Sequence, residues 1–203
     1  MTTLVETIPL EHVPATHSVH VAVFRDVTNS EFLQQQLLSR NQDFEYAFID
    51  ASSVISRLQV LSAVYKAITI QLGGNMKTPN IHSEIVCSLS PTNNIAEAYR
   101  RYGITPSTRD IIIVKVLIAA DAASAGDQGR PGARDVEAHL REHLEGTGVP
   151  FNDEVFSGTT DWAKVRKYYK LNGIGWLDGI RDESLKRREM EMLVLGSMAL
   201  RGL

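Results

Sequence analysis

The run from Ile111 to Ala120 (IIIVKVLIAA) is the most apolar stretch of the chain, and it carries one charged residue, Lys115. A helix needs about 20 apolar residues to cross a bilayer. A run this short reads instead as a strand buried in a sheet, and no membrane association is expected. Such a strand needs a core around it. The 203 residues, 43% of them apolar, suffice for one domain with that core.

The rest of the chain supplies elements to pack on it. Leu4 to Pro9 and His20 to Phe24 read as extended segments, with Val19, Val21 and Val23 alternating with His20 and Ala22, so a strand pair is expected. Thr28-Asn29-Ser30-Glu31 has the spacing of a capping box that opens a helix running to about Arg40. Tyr46 to Ile49 is a short apolar run closed by Asp50. After it, Val54, Leu58, Leu61, Val64, Tyr65, Ile68 and Leu72 recur at helical spacing up to Gly73-Gly74.

Ile81 to Leu89 reads as a strand, which would set His82 and Glu84 on one face about 6.5–7 Å apart. A helix capped by Asn93-Asn94 would turn Ile95, Ala98, Tyr99 and Tyr102 inward and stop at a left-handed Gly103. From Ala119 to Ala133 the residues are small, polar and rich in glycine, and residues 119–148 read as a mobile surface insertion. A charged helix is expected from about Arg134 to Glu145, then a loop through Pro150, a helix near Thr160 to Leu171, and a last helix from about Asp182 to Arg201. The fold class is therefore α/β (α+β): a single domain, 1–203, with a small mixed sheet packed with several helices.

No catalytic constellation emerges. The Gly73-to-Thr78 loop lacks the glycines of a phosphate loop and follows a helix instead of opening one. His82-Ser83-Glu84 resembles the first half of a zinc deaminase signature, but Cys87 is the single cysteine, so the Pro-Cys-x-x-Cys half is missing. An acid/base pair of His82 and Glu84 and a structural pair are both open. His139 and His143, four apart, could offer two metal ligands but need further ones. No Gly-x-Ser-x-Gly elbow is present, and no cofactor is expected. The lone cysteine, the absence of an Asn-x-Ser/Thr sequon and the lack of a basic-then-apolar N-terminal pattern point to the nucleus or cytosol.

The charge balance, 21 Lys plus Arg against 24 Asp plus Glu, gives net −3, so any RNA contact must be local. From Asp161 onward the balance reverses to nine against six. Lys164, Arg166 and Lys167, interleaved with Tyr168 and Tyr169, could meet phosphates and stack on bases, or form a solvated helix face. Lys66, Lys77, Arg100 and Arg101 form a second candidate cluster. In the last helix Leu185, Met192, Leu193, Gly196, Ala199 and Leu200 recur at helical spacing, a stripe that can face either a partner or the domain's own core.

Several runs, in order, resemble the PRPK-binding protein family, the small kinase-associated subunit of the EKC/KEOPS complex. They are Ala47-Phe48-Ile49-Asp50-Ala51, Ile81-His82-Ser83-Glu84-Ile85, Leu89 through Ala98, Arg101-Tyr102-Gly103-Ile104, Val165 through Asn172, and Ala199-Leu200-Arg201-Gly202-Leu203. The tyrosine-rich Val165 to Asn172 run looks like the fungal branch. The resemblance implies a non-enzymatic α/β domain that binds a small atypical kinase/ATPase directly and, through it, meets a threonylcarbamoyl-transferase subunit. It also implies service in making threonylcarbamoyladenosine in tRNA, help in recruiting tRNA by its 3′ CCA end, and a link to telomere maintenance and transcription. A pure protein adaptor without RNA binding, or a small enzyme using His82 and Glu84, are the competing readings.

Overall fold

The computed structural model describes residues 4–119 and 132–201. Five strands form one sheet: β1 (Glu6–Ile8), β2 (His17–Arg25), β3 (Ala47–Asp50), β4 (Ile111–Ile118) and β5 (Thr147–Val149). The order is β1-β2-β4-β3, with β5 also on β2. Every described pairing is antiparallel, where a mixed sheet was expected. The longest ladder aligns His17 with Ile118 and Phe24 with Ile111.

The helices are α1 (Ser30–Leu38), α2 (Arg57–Leu72), α3 (Ile81–Ser88), α4 (Ile95–Tyr102), α5 (Ala133–His143), α6 (Asp153–Thr159), α7 (Trp162–Tyr168), α8 (Gly175–Asp178) and α9 (Glu183–Ala199). They cover the sheet on both faces. Alternate residues of β4 serve two cores: Ile112, Val114 and Val116 pack with α2, α3, α7 and α9, while Ile111 and Ile113 pack with Leu33 of α1 and with Val136 and Leu140 of α5. A central strand covered twice has no wet face, which is why its sequence is continuously apolar.

The segment 81–88 is a helix, not the strand expected. The Asn80 side chain accepts the Ser83 N–H at 2.8 Å as the N-cap. Seven of the eight residues of α3 are buried, polar His82, Glu84 and Ser88 among them. A helix enclosed on all sides shows no amphipathic stripe, so its spacing mimicked alternation.

Other expectations shift more locally. The N-cap of α1 is Asn29, and Thr28 instead bonds Glu145 through its N–H at 2.9 Å and its hydroxyl at 2.7 Å, so the capping box does not form. On α2 the buried face is Gln59, Val60, Ala63, Val64, Ala67 and Ile68, while Leu58, Tyr65 and Leu72 face solvent. Gly73 caps α2 and Gly74 takes a positive φ of 69°, as a helix stop would. Gly103 is extended, not left-handed, and glycine is needed there for another reason: a Cβ would stand 2.6 Å from the Tyr99 carbonyl oxygen. On α4, Ala98 and Tyr102 are buried, but Ile95 and Tyr99 are partly exposed. The helix expected near 160–171 is α7, shorter at both ends, and a further helix, α6, precedes it.

Of the expected insertion at 119–148, residues 120–131 lie outside the described residues. From 132 onward the segment is built into the domain, with Val136 and Leu140 buried and β5 paired to β2.

Candidate functional site

The last helix decides between its two readings by its geometry. Met190, Val194 and Met198 are its buried residues and point into the core. At about 100° per residue, the opposite face carries Leu185, Met192 and Ala199, with Gly196 and Leu200 beside them. Leu185, Met192 and Leu200 are 46%, 62% and 66% exposed. Leu193 is half-buried at the seam's inner edge and touches the core. The stripe legible in the sequence is thus an outward apolar seam, and the inward residues were the ones missed. Three of the four core-facing and edge positions, Met190, Leu193 and Met198, are unbranched or γ-branched, so nothing in residue type set inner from outer face.

The C-terminal end of α9 is held from outside the helix. Lys66 Nζ on α2 donates to the carbonyls of Met198 and Arg201 at 2.6 and 3.0 Å, and burial, then nearby Arg201, lowers its pKa. Arg201 reaches back to Glu84 at 3.6 Å and also bonds the Cys87 carbonyl and, at 3.2 Å, Asn93. Glu84 further accepts the Thr78 hydroxyl at 2.8 Å and the Lys77 N–H at 3.3 Å. The buried Cys87 thiol is pushed up to about 11 by burial, with Glu84 raising it further and Arg201 opposing, so it is a thiol and not a nucleophile at neutral pH.

His82 and Glu84 do not converge. On a helix, residues two apart diverge by about 200°: Glu84 faces Arg201, while His82 Nε2 accepts the Val116 N–H at 3.1 Å. That N–H lies beyond the end of β3, so the imidazole takes the place of a missing strand neighbour. The accepting Nε2 requires a neutral ring protonated on Nδ1, and burial with the nearby Lys115 charge pushes its pKa down to about 3. Neither the hydrogen-bonded structural pair nor the acid/base pair left open by the sequence is formed, because the two side chains take different partners.

Of the seven basic residues named from the sequence, five have partners within the chain. Lys66 holds α9. Arg101 pairs with Glu97, bonds the Tyr168 carbonyl at 3.2 Å and lies over the Tyr168 ring at 5.0 Å. Lys164 bonds Asp50 and Ser52 at 3.1 and 2.5 Å, and Arg166 bonds Asp178, Asn172 and Leu171. Lys77 and Lys167 are exposed, as is Arg100, whose guanidinium lies 3.9 Å from the Glu97 carboxylate. The tyrosines beside them are likewise engaged: Tyr169 is buried, donating to the Leu89 carbonyl at 2.5 Å and accepting from Gln59 at 2.9 Å. His139 and His143 have their rings 4.5 Å apart beside Phe44, with Tyr46 bonded to His139 at 3.0 Å. Among the described residues no three His, Cys, Asp or Glu side chains converge on one point.

The family "Kinase binding protein CGI-121" matches residues 24–202. The chain is 57% identical over 198 residues to the EKC/KEOPS complex subunit CGI121 of Gibberella zeae, covering 97% of this chain and 98% of that protein. It is 48% identical over 204 residues to the subunit of the same name from Neurospora crassa, covering 98% and 99%. With that of Schizosaccharomyces pombe the identity is 33% over 184 residues, covering 91% and 93%. With a family match over nearly its whole length and an outward apolar seam on its last helix, the chain belongs to the CGI-121 family of kinase binding proteins.

Proposed function

We propose that this protein is a non-catalytic subunit of an EKC/KEOPS complex that makes threonylcarbamoyladenosine in tRNA, in the nucleus and cytoplasm. It docks the small kinase/ATPase subunit through the outward seam of α9 and helps recruit tRNA by its 3′ CCA end. The observation that carries the reading is the seam itself: Leu185, Met192 and Leu200 stand on the face of α9 opposite its buried residues. Exposed apolar residues in a row on a rigid helix suit a partner surface.

For tRNA, Lys77 and Lys167, together with Arg100, which is 76% exposed and only loosely paired with Glu97 at 3.9 Å, are the cations of the two sequence clusters placed to meet phosphates. Few contacts mean a shallow salt dependence, with a log–log slope of roughly −2 for three phosphates on a single strand. The five internally paired cations favour a second reading, a protein adaptor that binds no RNA. Co-purification with the kinase, followed by a tRNA gel shift with and without the CCA end across a salt series, tests both. CCA-dependent, salt-sensitive binding supports the tRNA role, and indifference to the CCA end leaves the adaptor.

A further inference from the structure

The outward seam of α9 ends on the helix's weakest turn. Gly196 lies in that turn, and a glycine inside a helix leaves it less stable than alanine would. No basic side chain stands in the last turn, so nothing within the helix answers its carbonyl end. The C-cap, Leu200, keeps a helical φ of −76°, and the left-handed stop that commonly closes a helix is missing. Helix ends of this kind fray. Leu200, the most exposed leucine of the seam at 66%, would then ride on a loose turn.

Two side chains prevent this. Lys66 is half-buried on α2, next to the fully buried Ala67, so its ammonium projects from a fixed base. It donates to the carbonyls of Met198 and Arg201 at 2.6 and 3.0 Å, and those two residues bracket Leu200. The buried Arg201 side chain fastens the same end to Glu84 and the Cys87 carbonyl of α3, and to Asn93 ahead of α4. Between these anchors the Leu200 N–H closes on the Gly196 carbonyl at 3.0 Å. The backbone on either side of Leu200 is thus pinned to neighbouring elements while its side chain stays in solvent. Holding an exposed leucine still does nothing for the core, which Met198 already fills. It does matter for binding, because a side chain ordered in advance loses less entropy when a partner covers it.

We propose that Lys66 and Arg201 are positioning residues for kinase docking, a latch that fixes the last turn of α9 and presents Leu200 already ordered at the end of the seam. Both act through Leu200 and neither touches the kinase. The inference rests on the seam reading given above, and the partner is the one named by the family to which the chain belongs.

Lys66→Met keeps the apolar stem and removes the donors. In the free full-length variant, amide exchange at Leu200 and Arg201 should quicken, and saturating kinase should slow it again. Kinase affinity, titrated well below the melting temperature, should fall about 2- to 10-fold, and Lys66→Arg, which keeps a donor cation, should restore part of it. The loss should vanish in a Leu200→Ala background, where no leucine remains to be positioned, and persist undiminished in Leu185→Ala, at the far end of the seam. Glu84→Gln/Arg201→Ala should show the same dependence on Leu200. An equal loss in both backgrounds would mark a direct contact or a general weakening of the fold and overturn the latch. Wild-type affinity in Lys66→Met, with binding abolished in Leu185→Glu and Met192→Glu, overturns the latch and leaves the seam standing. Wild-type affinity in those two seam variants removes the seam from kinase docking and the latch with it.

Discussion

Arg201, the last described residue, sits with its guanidinium 3.6 Å from the Glu84 carboxylate, and the two side chains are only 5% and 2% exposed. The pair ties the end of α9 to α3, a helix buried in the middle of the domain. A buried charge is tolerable while its partner is present, and removing one partner costs about 3–5 kcal/mol. Arg201→Ala should therefore lower the thermal midpoint strongly. Glu84→Gln/Arg201→Ala should recover part of the loss, because no lone carboxylate remains, and denaturant unfolding of the four proteins measures the coupling.

The outward seam predicts a separation of stability from binding. Met192→Glu or Leu185→Glu should leave the folded protein within about 0.5 kcal/mol of wild type and abolish co-purification with the kinase, since charge at an interface centre is costly. Met190→Ala, on the opposite face, should cost about 2–5 kcal/mol and spare binding below its melting temperature. Unaltered co-purification in both seam variants would assign the kinase surface elsewhere.

Lys66 belongs to the fold and not to an RNA surface. Its ammonium caps the C-terminal carbonyls of α9, where a cation and its hydrogen bonds contribute about 1–2 kcal/mol. Lys66→Ala should destabilise by that amount and leave the salt slope of tRNA binding unchanged. A flatter slope at wild-type stability would return it to the RNA surface.

For His82 the folded pKa of about 3 lies below the ordinary value of 6.5. The unfolded chain therefore binds a proton that the folded chain refuses. Its contribution to stability is complete above about pH 6.5 and is lost as pH falls toward 3, at up to about 1.4 kcal/mol per pH unit for one proton. His82→Gln keeps an acceptor for the Val116 N–H and lacks this proton. Urea unfolding at pH 7 to 4 should show the stability gap between wild type and variant narrowing, or reversing, as the pH drops. Parallel profiles would count against a buried neutral imidazole.

The sequence alone located the features whose signals are local or one-sided. The apolar run from Ile111 gave β4 starting where expected and ending at Ile118, and Asp182 and the following residues marked the start of α9. The Gly73-Gly74 stop and the single α/β domain were legible in the same way, because caps, glycines and strand runs act within a few residues. What needed the tertiary structure was the facing of each element. Segment 81–88 looked extended because α3 is enclosed on nearly every side, and an enclosed helix loses the polar face that reveals its period. The basic residues looked alike in sequence, yet Lys66, Arg101, Lys164 and Arg166 found carbonyls and carboxylates 4 to 135 residues away, while Lys77, Arg100 and Lys167 remained at the surface. Whether a cation is a strut or a contact depends on which distant acceptors the fold brings within about 3 Å, and that distance is set by packing between elements, which residue order does not encode locally.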